Sequence, residues 1–428
     1  MDKFVVKGGK SLKGIIAAGG SKNCALPVLF ATLLTKEKSV LRGVPKLRDM
    51  ESTLMMLVHL GCKVDQHFNS AWGADWTVSA GQLNAVEAPY DLVRKMRAST
   101  WMLGPVLARE GRARASLPGG CAIGARPIDL HLMAFEKLGA EIAQSSGYIE
   151  LKIKDGKERL TGAHIVFPMV SVGATANAVM AATLAQGISI IENCAREPEV
   201  RDLCLALKSM GAKISGIGEA RIEIEGVDAL GALNFQIPPD RIESATYLIG
   251  AHMTAGDVLV KGARESDLGI VLDFLRSSGA NILVNAEGIR CTSNGDITPV
   301  DIVTAPFPGF PTDVQAQWVA LMTQARGDSV VTETIFENRF MHVPELNRMG
   351  AKINIVGSSV RIKGEKNSLE GAPTMASDLR ASAALVLAGL VARGETQIKR
   401  IYHLDRGYEA MESKLRSLGA DVERESEN

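Results

Sequence analysis

The chain has 428 residues, enough for two or three domains with sizeable cores, and its 46% of hydrophobic residues is ordinary for a soluble globular protein. Its 48 Lys and Arg balance 48 Asp and Glu, which argues against a nucleic-acid partner because such a partner favours a basic excess. No apolar run is long enough to span a bilayer and no signal peptide is recognisable, so we expect a cytoplasmic protein without membrane contact.

A short sequence motif, LGCKV in its first copy, recurs six times, about every 70 residues. It predicts a helix followed by a strand. It follows an amphipathic segment and precedes a β-prone one, and glycine suits the left-handed conformation that ends a helix. A second motif with a similar spacing predicts an Ala/Leu-rich helix that ends just before a strand of alternating apolar and polar residues. The fold class is therefore predicted to be α/β, built from six repeated αβ units. The glycines of the first motif are Gly61, Gly139, Gly211, Gly279, Gly350 and Gly419.

The earliest candidate site lies in the segment AAGGSKNCALP. Two glycines precede Ser21, Lys22 and Asn23, and the helix that follows is predicted to hold Pro27 in its first turn. Backbone amides at such a helix start, beside a lysine, suit an anion. The spacing is not that of a Walker loop, and a capped helix with a solvated lysine is the simpler explanation.

Two arginines, Arg94 and Arg97, come next, three residues apart on one predicted helical face. Arg97 precedes the small residues Ala98 and Ser99, which is typical of a place where backbones crowd together. Solvation is the preferred explanation for Arg94.

The stretch LPGGCAIGARP places Cys121 in a glycine-rich turn, five residues before Arg126. Cations stabilise a thiolate, so Cys121 is a candidate nucleophile or proton donor on a mobile loop. No CxxC pair and no Cys/His cluster is present, which favours free thiols over disulfides or zinc. The cysteines for which we expect core filling are Cys24, Cys62, Cys194, Cys204 and Cys291.

Six units divide naturally into two lobes of three. The segment IPPDRIES, with Pro238 and Pro239, is the predicted boundary, and AAGGSKN is a second flexible crossing. We expect a first lobe over residues 22–238 and a second lobe over residues 1–21 and 239–428, with the active site in the cleft between them. Repeats of this kind also form scaffolds or clamps around DNA, and the neutral charge argues against a clamp.

The second lobe holds an isolated aspartate and three clusters of an acid with an arginine. Asp313, in PGFPTDVQAQ, is predicted at or near a helix N-terminus, as a cap or as a catalytic base beside a hydroxyl. One such cluster is typical of a structural ion pair, but three in one lobe favour an anionic substrate. The clusters are Glu337 with Arg339, Asp378 with Arg380, and Asp405 with Arg406.

Nine motifs together resemble one known family from end to end: GGSKN, RKMRAS, LPGGCAIGARPIDLH, VSVGAT, NCAREPE, FPTD, TETIFENRFMHVPEL, ASDLRAS and HLDRGYE. They resemble the UDP-N-acetylglucosamine 1-carboxyvinyltransferases of the EPSP synthase family. The resemblance implies a two-lobed inside-out α/β barrel. It also implies transfer of the enolpyruvyl group of phosphoenolpyruvate to the 3-hydroxyl of UDP-N-acetylglucosamine, with release of phosphate. That reaction would be the first committed step of peptidoglycan synthesis, by a monomer that needs no metal and no organic cofactor.

The resemblance also implies roles for single residues. Cys121 would be the general acid that also reacts with fosfomycin, and Asp313 the base near the sugar hydroxyl. Either Cys121 or Lys22 would protonate the methylene carbon, and Arg406 would join them in catalysis. The residues implied to hold phosphoenolpyruvate are Lys22, Asn23, Arg126, Arg339, Arg380 and Arg406. Those implied to contact the sugar nucleotide are Asn23, Arg97, Arg126, Pro127, Ile128, Asp129, Leu130, Met169, Val170, Ser171, Val172, Gly173, Asp313 and Ile335.

One residue departs from the family pattern, and two alternative functions stay open. Met169 stands where the resemblance leads us to expect lysine, so the nucleotide would be held more weakly or by other groups. Cys121 stands where some relatives carry aspartate, which predicts sensitivity to fosfomycin. The alternatives are a 3-phosphoshikimate enolpyruvyl transferase, which shares the fold, and a non-catalytic paralogue that senses the sugar nucleotide. RPIDLH and Cys121 favour the sugar nucleotide. The intact set of catalytic candidates argues against a sensor: Lys22, Cys121, Asp313 and Arg406.

Overall fold

The computed structural model describes residues 2–69, 73–93, 97–117 and 128–426. These residues form two compact units: a first unit within residues 20–238, and a second unit of residues 2–19 and 239–426. Each unit has a hydrophobic core of its own. Within the described ranges, no helix is long and apolar enough to cross a bilayer.

The helices are numbered α1 to α13 in chain order. They are α1 (Lys22–Ala31), α2 (Arg48–His59), α3 (Tyr90–Val93), α4 (Leu103–Glu110), α5 (Asp129–Lys137), α6 (Val172–Ala182), α7 (Pro198–Ser209), α8 (Arg241–Met253), α9 (Glu265–Ser277), α10 (Gln315–Met322), α11 (Val343–Arg348), α12 (Leu379–Val391) and α13 (Met411–Ser417). Short 3-10 turns lie at Thr32–Leu34, Arg97–Met102, Thr312–Val314 and Ile401–Arg406.

The strands are numbered β1 to β24. They are β1 (Asp2–Lys7), β2 (Lys13–Ala17), β3 (Lys38–Val44), β4 (Lys63–Asn69), β5 (Ala74–Ser79), β6 (Glu87–Ala88), β7 (Arg112–Ser116), β8 (Ala140–Ser145), β9 (Tyr148–Ile153), β10 (His164–Val166), β11 (Ile188–Glu192), β12 (Lys213–Ser215), β13 (Arg221–Glu225), β14 (Asn234–Gln236), β15 (Asp257–Lys261), β16 (Asn281–Asn285), β17 (Gly288–Thr292), β18 (Ile302–Val303), β19 (Gly327–Thr332), β20 (Lys352–Val356), β21 (Ser359–Gly364), β22 (Pro373–Met375), β23 (Glu395–Lys399) and β24 (Asp421–Ser426).

The strands of the described chain form six four-stranded sheets with one shared pattern. In each sheet the strand at one edge pairs in parallel with its neighbour, and the remaining two pairings are antiparallel. The first unit holds the sheets β14-β3-β5-β4, β6-β7-β9-β8 and β10-β11-β13-β12. The second unit holds β2-β15-β17-β16, β18-β19-β21-β20 and β22-β23-β1-β24. The molecule is therefore a mixed α/β protein.

The helices are of two kinds, and the sequence explains both. The helices α8, α10 and α12 contact one another and are buried along almost their whole length, as expected of helices inside a domain. Every residue of α8 after Arg241 is buried. By contrast α9 is amphipathic and buries one face only. Its buried residues are Asp267, Leu268, Val271, Leu272 and Leu275.

The predicted junction between helix and strand is confirmed at all six glycines. The glycine follows α2, α5, α7, α9, α11 and α13 and precedes β4, β8, β12, β16, β20 and β24. Each has a positive φ, between 92° and 103°. A side chain is strained in that conformation, which is why glycine recurs there.

The helix after GGSKN differs in one detail from the prediction. It begins at Lys22, so Pro27 lies in its interior and not in its first turn. The reason is the cap, because the hydroxyl of Ser21 accepts a hydrogen bond from the amide of Cys24 at 3.3 Å and starts the helix there.

The expectation for the core cysteines is confirmed. Cys24, Cys62, Cys194, Cys204 and Cys291 are free and buried. Burial raises the pKa of the Cys62 thiol to about 11 and that of the Cys204 thiol to about 12, so both thiols stay protonated at neutral pH.

A buried ion pair in the second unit holds the residues where the chain leaves and re-enters that unit. Lys414 Nζ lies 2.5 Å from Glu243 Oε1, and the amide of Gly19 donates to Glu243 Oε2 at 2.7 Å. The amide of Asp240 donates in turn to the carbonyl of Gly19 at 2.8 Å. The two residues at which the chain leaves and re-enters the second unit are thus bonded to each other, and Gly19 is also bonded to the Glu243 carboxylate.

Candidate active site

In the first unit, the predicted anion-binding residues Lys22 and Asn23 lie in the first turn of α1. Lys22 Nζ is 3.0 Å from Asp49 Oδ2, and the two side chains are only 12% and 6% exposed. Asp49 lies in the first turn of α2. The ammonium group is therefore held in place by a carboxylate, and the solvated lysine of the simpler explanation is wrong.

Sequence reasoning missed Asp49, although a signal was present. An acidic residue in the first turn of a helix, as in RDMES, is usually a favourable charge near the helix dipole. Here it is buried instead, at 4% exposure, and buried carboxylates need a partner. The sequence does not indicate that this partner is Lys22, because only the packing of α1 on α2 brings Lys22 and Asp49 together.

Two predicted nucleotide-binding segments of the first unit come together. Ile128 to Leu130 lie at the start of α5, and Met169 to Gly173 lead into α6, which packs on α5. The hydroxyl of Ser171 caps α6 by accepting from the amide of Ala174 at 3.3 Å. Met169, the departure from the family pattern, is 64% exposed.

In the second unit, Asp313 lies between two arginines. Its Oδ1 accepts a hydrogen bond from Arg339 at 2.8 Å and its Oδ2 accepts one from Arg380 at 2.7 Å. Both arginine side chains are almost fully buried, at 3% and 4% exposure, whereas the carboxylate is 26% exposed. This arrangement concentrates two positive charges around one partly open carboxylate.

Asp313 is held by backbone and side-chain contacts as well. It lies in the 3-10 turn Thr312–Val314 just before α10, as the sequence predicted for a residue near a helix start. The side-chain amide of Gln317 donates to the carbonyl oxygen of Asp313 at 3.0 Å. The same amide donates to the hydroxyl of Tyr408 at 3.1 Å, which fixes the turn against the core.

Arg380 stays protonated, and therefore positively charged, in this environment. Burial alone would lower its pKa, but Asp313, Tyr408 and Asp240 together outweigh burial, so the pKa is raised above its ordinary value. The guanidinium also lies over the ring of Tyr408, 5.6 Å from the ring centroid. The backbone amide of Arg380 is bonded to Asp378, which caps α12.

Glu333 is a second residue that sequence reasoning missed. Its side chain is buried and accepts hydrogen bonds from the hydroxyls of Thr304 and Thr312, each at 2.9 Å. It also accepts from the backbone amides of Ile335, at 2.8 Å, and Phe336, at 3.2 Å. One carboxylate thus ties the turn of Asp313 to the TETIFEN segment, where the side chain of Ile335 is 37% exposed.

The pairing of the predicted acid–arginine clusters is different from their order in the sequence. Arg339 and Arg380 share Asp313, while Asp378 caps a helix. Asp405 binds Arg424 at 2.6 Å. Local ion pairs were the wrong explanation for Arg339 and Arg380, because both bind Asp313, which lies 26 and 67 positions away in the chain.

Arg406 lies at the end of the 3-10 turn Ile401–Arg406 and is half-buried. Its charge, after burial, contributes to lowering the pKa of His403. The side chain of Arg97 and the predicted residues Cys121, Arg126 and Pro127 lie outside the described residues, as does Arg94.

Comparison with known proteins assigns the chain to a family. The profile of the family "EPSP synthase (3-phosphoshikimate 1-carboxyvinyltransferase)" matches residues 6–415. The UDP-N-acetylglucosamine 1-carboxyvinyltransferase of Gluconobacter oxydans is 51% identical over 427 residues, which cover 100% of both chains. The protein of the same name from Solidesulfovibrio magneticus is 54% identical over 424 residues, 99% of this chain and 100% of that one.

Solved structures show the same fold at much lower identity. The enolpyruvyl transferase NikO from Streptomyces tendae matches with a TM-score of 0.85 and 22% identity, over 99% of this chain and 98% of that one. EPSP synthase from Acinetobacter baumannii matches with a TM-score of 0.78 and 19% identity, over 100% of both chains. From a profile that spans nearly the whole sequence, and from full-length relatives above 50% identity, we conclude that the chain belongs to the EPSP synthase family of enolpyruvyl transferases.

Proposed function

We propose that this chain transfers the enolpyruvyl group of phosphoenolpyruvate to the 3-hydroxyl of UDP-N-acetylglucosamine and releases phosphate. The full-length relatives that carry this name, at 51% to 54% identity, are the main support. The observation that carries the chemistry is Asp313 between the buried Arg339 and Arg380. This reaction starts the synthesis of peptidoglycan.

Phosphoenolpyruvate offers a phosphate and a carboxylate, and arginines suit both because the planar guanidinium donates two parallel hydrogen bonds. We assign its binding to Arg126, Arg339, Arg380 and Arg406, together with Lys22 and Asn23. Burial of Arg339 and Arg380 supports this assignment, because a desolvated cation binds an anion more strongly than an exposed one.

The ion pairs of Asp313 have a chemical consequence. Each carboxylate oxygen accepts a hydrogen bond from a guanidinium group, which engages one of its lone pairs before it can act as a base. An arriving substrate anion competes with Asp313 for the two arginines. As the arginines turn to the substrate, the carboxylate becomes available to accept the proton of the sugar 3-hydroxyl.

The bond changes at phosphoenolpyruvate require two proton transfers. The 3-hydroxyl oxygen bonds to the central carbon of phosphoenolpyruvate, while Cys121 or Lys22 gives a proton to the methylene carbon. The donor, now deprotonated, then takes a proton back from the resulting methyl group, the double bond re-forms and the carbon–oxygen bond to phosphate breaks. The ion pair with Asp49 supports Lys22 as a cation near these charges.

We assign the sugar nucleotide to Asn23, Arg97, Asp313, Ile335 and the two segments at the start of α5 and α6. These segments are residues 126–130 and 169–173. The capped N-terminus of α6 supports the assignment, since the first amides of a helix favour phosphate oxygens. Met169 supplies no cation there, so other groups must contribute to binding the diphosphate.

We also propose that each unit is one half of the inside-out α/β barrel that the resemblance implies. Three sheets per unit and the mutual contact of the buried helices α8, α10 and α12 support this arrangement. The active site would then draw residues from both units.

The test is to incubate the purified protein with phosphoenolpyruvate and UDP-N-acetylglucosamine, measuring phosphate and the mass of the product. We expect stoichiometric phosphate and the enolpyruvyl sugar nucleotide. Release of phosphate only with 3-phosphoshikimate would identify the alternative enzyme. Binding of the sugar nucleotide without turnover would identify a sensor.

A further inference from the structure

The side chain of Asn177, in the second turn of α6, has a fixed orientation. Its Oδ1 accepts a hydrogen bond from the backbone amide of Gly104 at 3.1 Å, and its Nδ2 donates to the carbonyl of Thr100 at 3.0 Å. The reverse orientation would place two donors together and two acceptors together. The main chain around α4 therefore determines which atom of the Asn177 amide is the donor.

The fixed amide determines the tautomer of His131. Asn177 Nδ2 lies 2.8 Å from His131 Nδ1, and an amide nitrogen can only donate. His131 Nδ1 must therefore be the acceptor, so the ring proton of the neutral imidazole is on Nε2. Burial lowers the pKa of His131 to about 4, so the ring is neutral in the physiological range.

The protonated edge of His131 faces the first turn of α6. A methyl group at Gly173 would lie 3.1 Å from His131 Nε2 and 3.1 Å from Trp101 Nε1. The His131 side chain is only 7% exposed, and within the described chain its Nε2 has no hydrogen-bond partner. Two ring N–H groups thus meet at the helix end where the VSVG segment begins.

We propose that Asn177 is a positioning residue that holds His131 as the Nε2–H tautomer, and that this N–H donates to the diphosphate of the sugar nucleotide at the N-terminus of α6. The ligand in this inference rests on the proposed function, while the tautomer rests on the hydrogen bonds alone. A neutral donor, with the indole N–H of Trp101, contributes to holding the diphosphate where Met169 offers no cation.

Among the described residues, few charged groups lie near enough to His131 to affect its titration. Asp129 on α5 is the charged group that acts on His131, and it favours the protonated ring. Glu141 on β8 and His164 on β10 are exposed. The helix α6 carries no ionisable side chain.

The tautomer is tested in the wild-type protein by nitrogen NMR of ¹⁵N-histidine-labelled rings, with His131→Gln to assign the signal. We expect a protonated Nε2 and an unprotonated Nδ1 for His131 from pH 6 to pH 9. A protonated Nδ1 in this range would overturn the inference. This measurement needs no substrate, so it stands whether or not the chain proves to be the proposed enzyme.

The role toward the ligand is tested with Asn177→Asp. A carboxylate cannot donate to Nδ1, so His131 must carry its proton there and, once neutral, loses the Nε2 donor. We expect the KM for UDP-N-acetylglucosamine to rise on the order of ten-fold at pH 9, and much less at pH 6, where the aspartate favours the charged ring with both protons. We expect kcat to change little.

The control is Asn84→Asp, which adds the same charge at an exposed asparagine of the same unit. Its KM should follow that of the wild type at both pH values. A KM ratio for Asn177→Asp that is the same at pH 6 and pH 9 would indicate a purely structural role and overturn the inference. An additional loss when His131→Gln is combined with Asn177→Asp would also contradict it, because the two changes remove one donor.

Discussion

At the scale of single residues, Asp313 has to serve two purposes that conflict. As an ion-pair partner it binds two buried guanidinium groups, and as a base it must give up at least one of them. Its 26% exposure is what allows the change of partner, because one side of the carboxylate remains open. The buried Glu333 supports the turn without taking part, since its oxygens are already bonded to hydroxyl and amide groups.

Asp313→Asn should abolish most turnover. The amide is neutral and cannot accept the hydroxyl proton, so we expect kcat to fall by about 100-fold or more. The melting temperature should fall too, because Arg339 and Arg380 lose their counter-charge. Steady-state kinetics and thermal melts are the measurements, and the exposed Asp328→Asn serves as control. A kcat close to that of the wild type would remove Asp313 from the mechanism.

Fosfomycin should inactivate the enzyme through Cys121. The wild-type protein is expected to lose activity with time, whereas Cys121→Asp, which has no thiol, should keep its activity. Cys291→Ala is a fair control because burial raises the pKa of that thiol to about 12, and this variant should stay sensitive. Equal rates of inactivation in the wild type and Cys121→Asp would show that the drug acts elsewhere.

At the scale of elements, the helix–glycine–strand junction is the part that the sequence predicts best. Glycine is required by a backbone angle, and a backbone angle depends on neighbours in the chain. The ion pairs of Asp313 are the opposite case, because they join residues 26 and 67 positions apart. The role of Asn177 was also hidden, since an asparagine in an Ala-rich helix resembles any other small polar residue until α4 and α5 are placed beside it.

Gly211→Ala should destabilise the first unit through the backbone alone. Gly211 has φ of +102°, and no atom lies within 4 Å of the position of an added methyl group. We expect a loss of about 1–2 kcal/mol in the free energy of unfolding, measured with urea. The matched control is Gly269→Ala in α9, where the space is also open and φ is helical, so that variant should gain up to about 1 kcal/mol. Equal effects of the two changes would contradict the explanation.

At the scale of the whole molecule, the protein combines two cores with several buried histidines. Burial lowers the pKa values of His131, His252 and His342 to about 4, against 6.5 for an unperturbed ring. Between pH 6.5 and pH 4 the unfolded chain therefore binds more protons than the folded one. The contribution of these three histidines to the free energy of unfolding should be complete above pH 6.5 and should decrease as the pH drops toward 4.

The variant that tests this is His252→Gln. The imidazole of His252 bonds to Ser293 at 2.7 Å and to the carbonyl of Ser278 at 3.2 Å, so its loss lowers stability at every pH. The informative quantity is the slope of the unfolding free energy against pH, which should be shallower in the variant by on the order of 1 kcal/mol per pH unit below pH 6.5. Identical slopes would mean that the ring is already charged in the folded protein.

The position of β1 has a consequence for how the chain is made. It is the third strand of a sheet whose other members are β22, β23 and β24, and the two strands that pair with it, β23 and β24, lie about 400 residues downstream. During synthesis, β1 and β2 therefore leave the ribosome long before their partner strands β15, β23 and β24 are made. The first unit can fold during this interval. The exposed edge of VVK in β1 must be kept from other nascent chains until synthesis ends, so a slow ribosome should favour aggregation of this protein over its maturation.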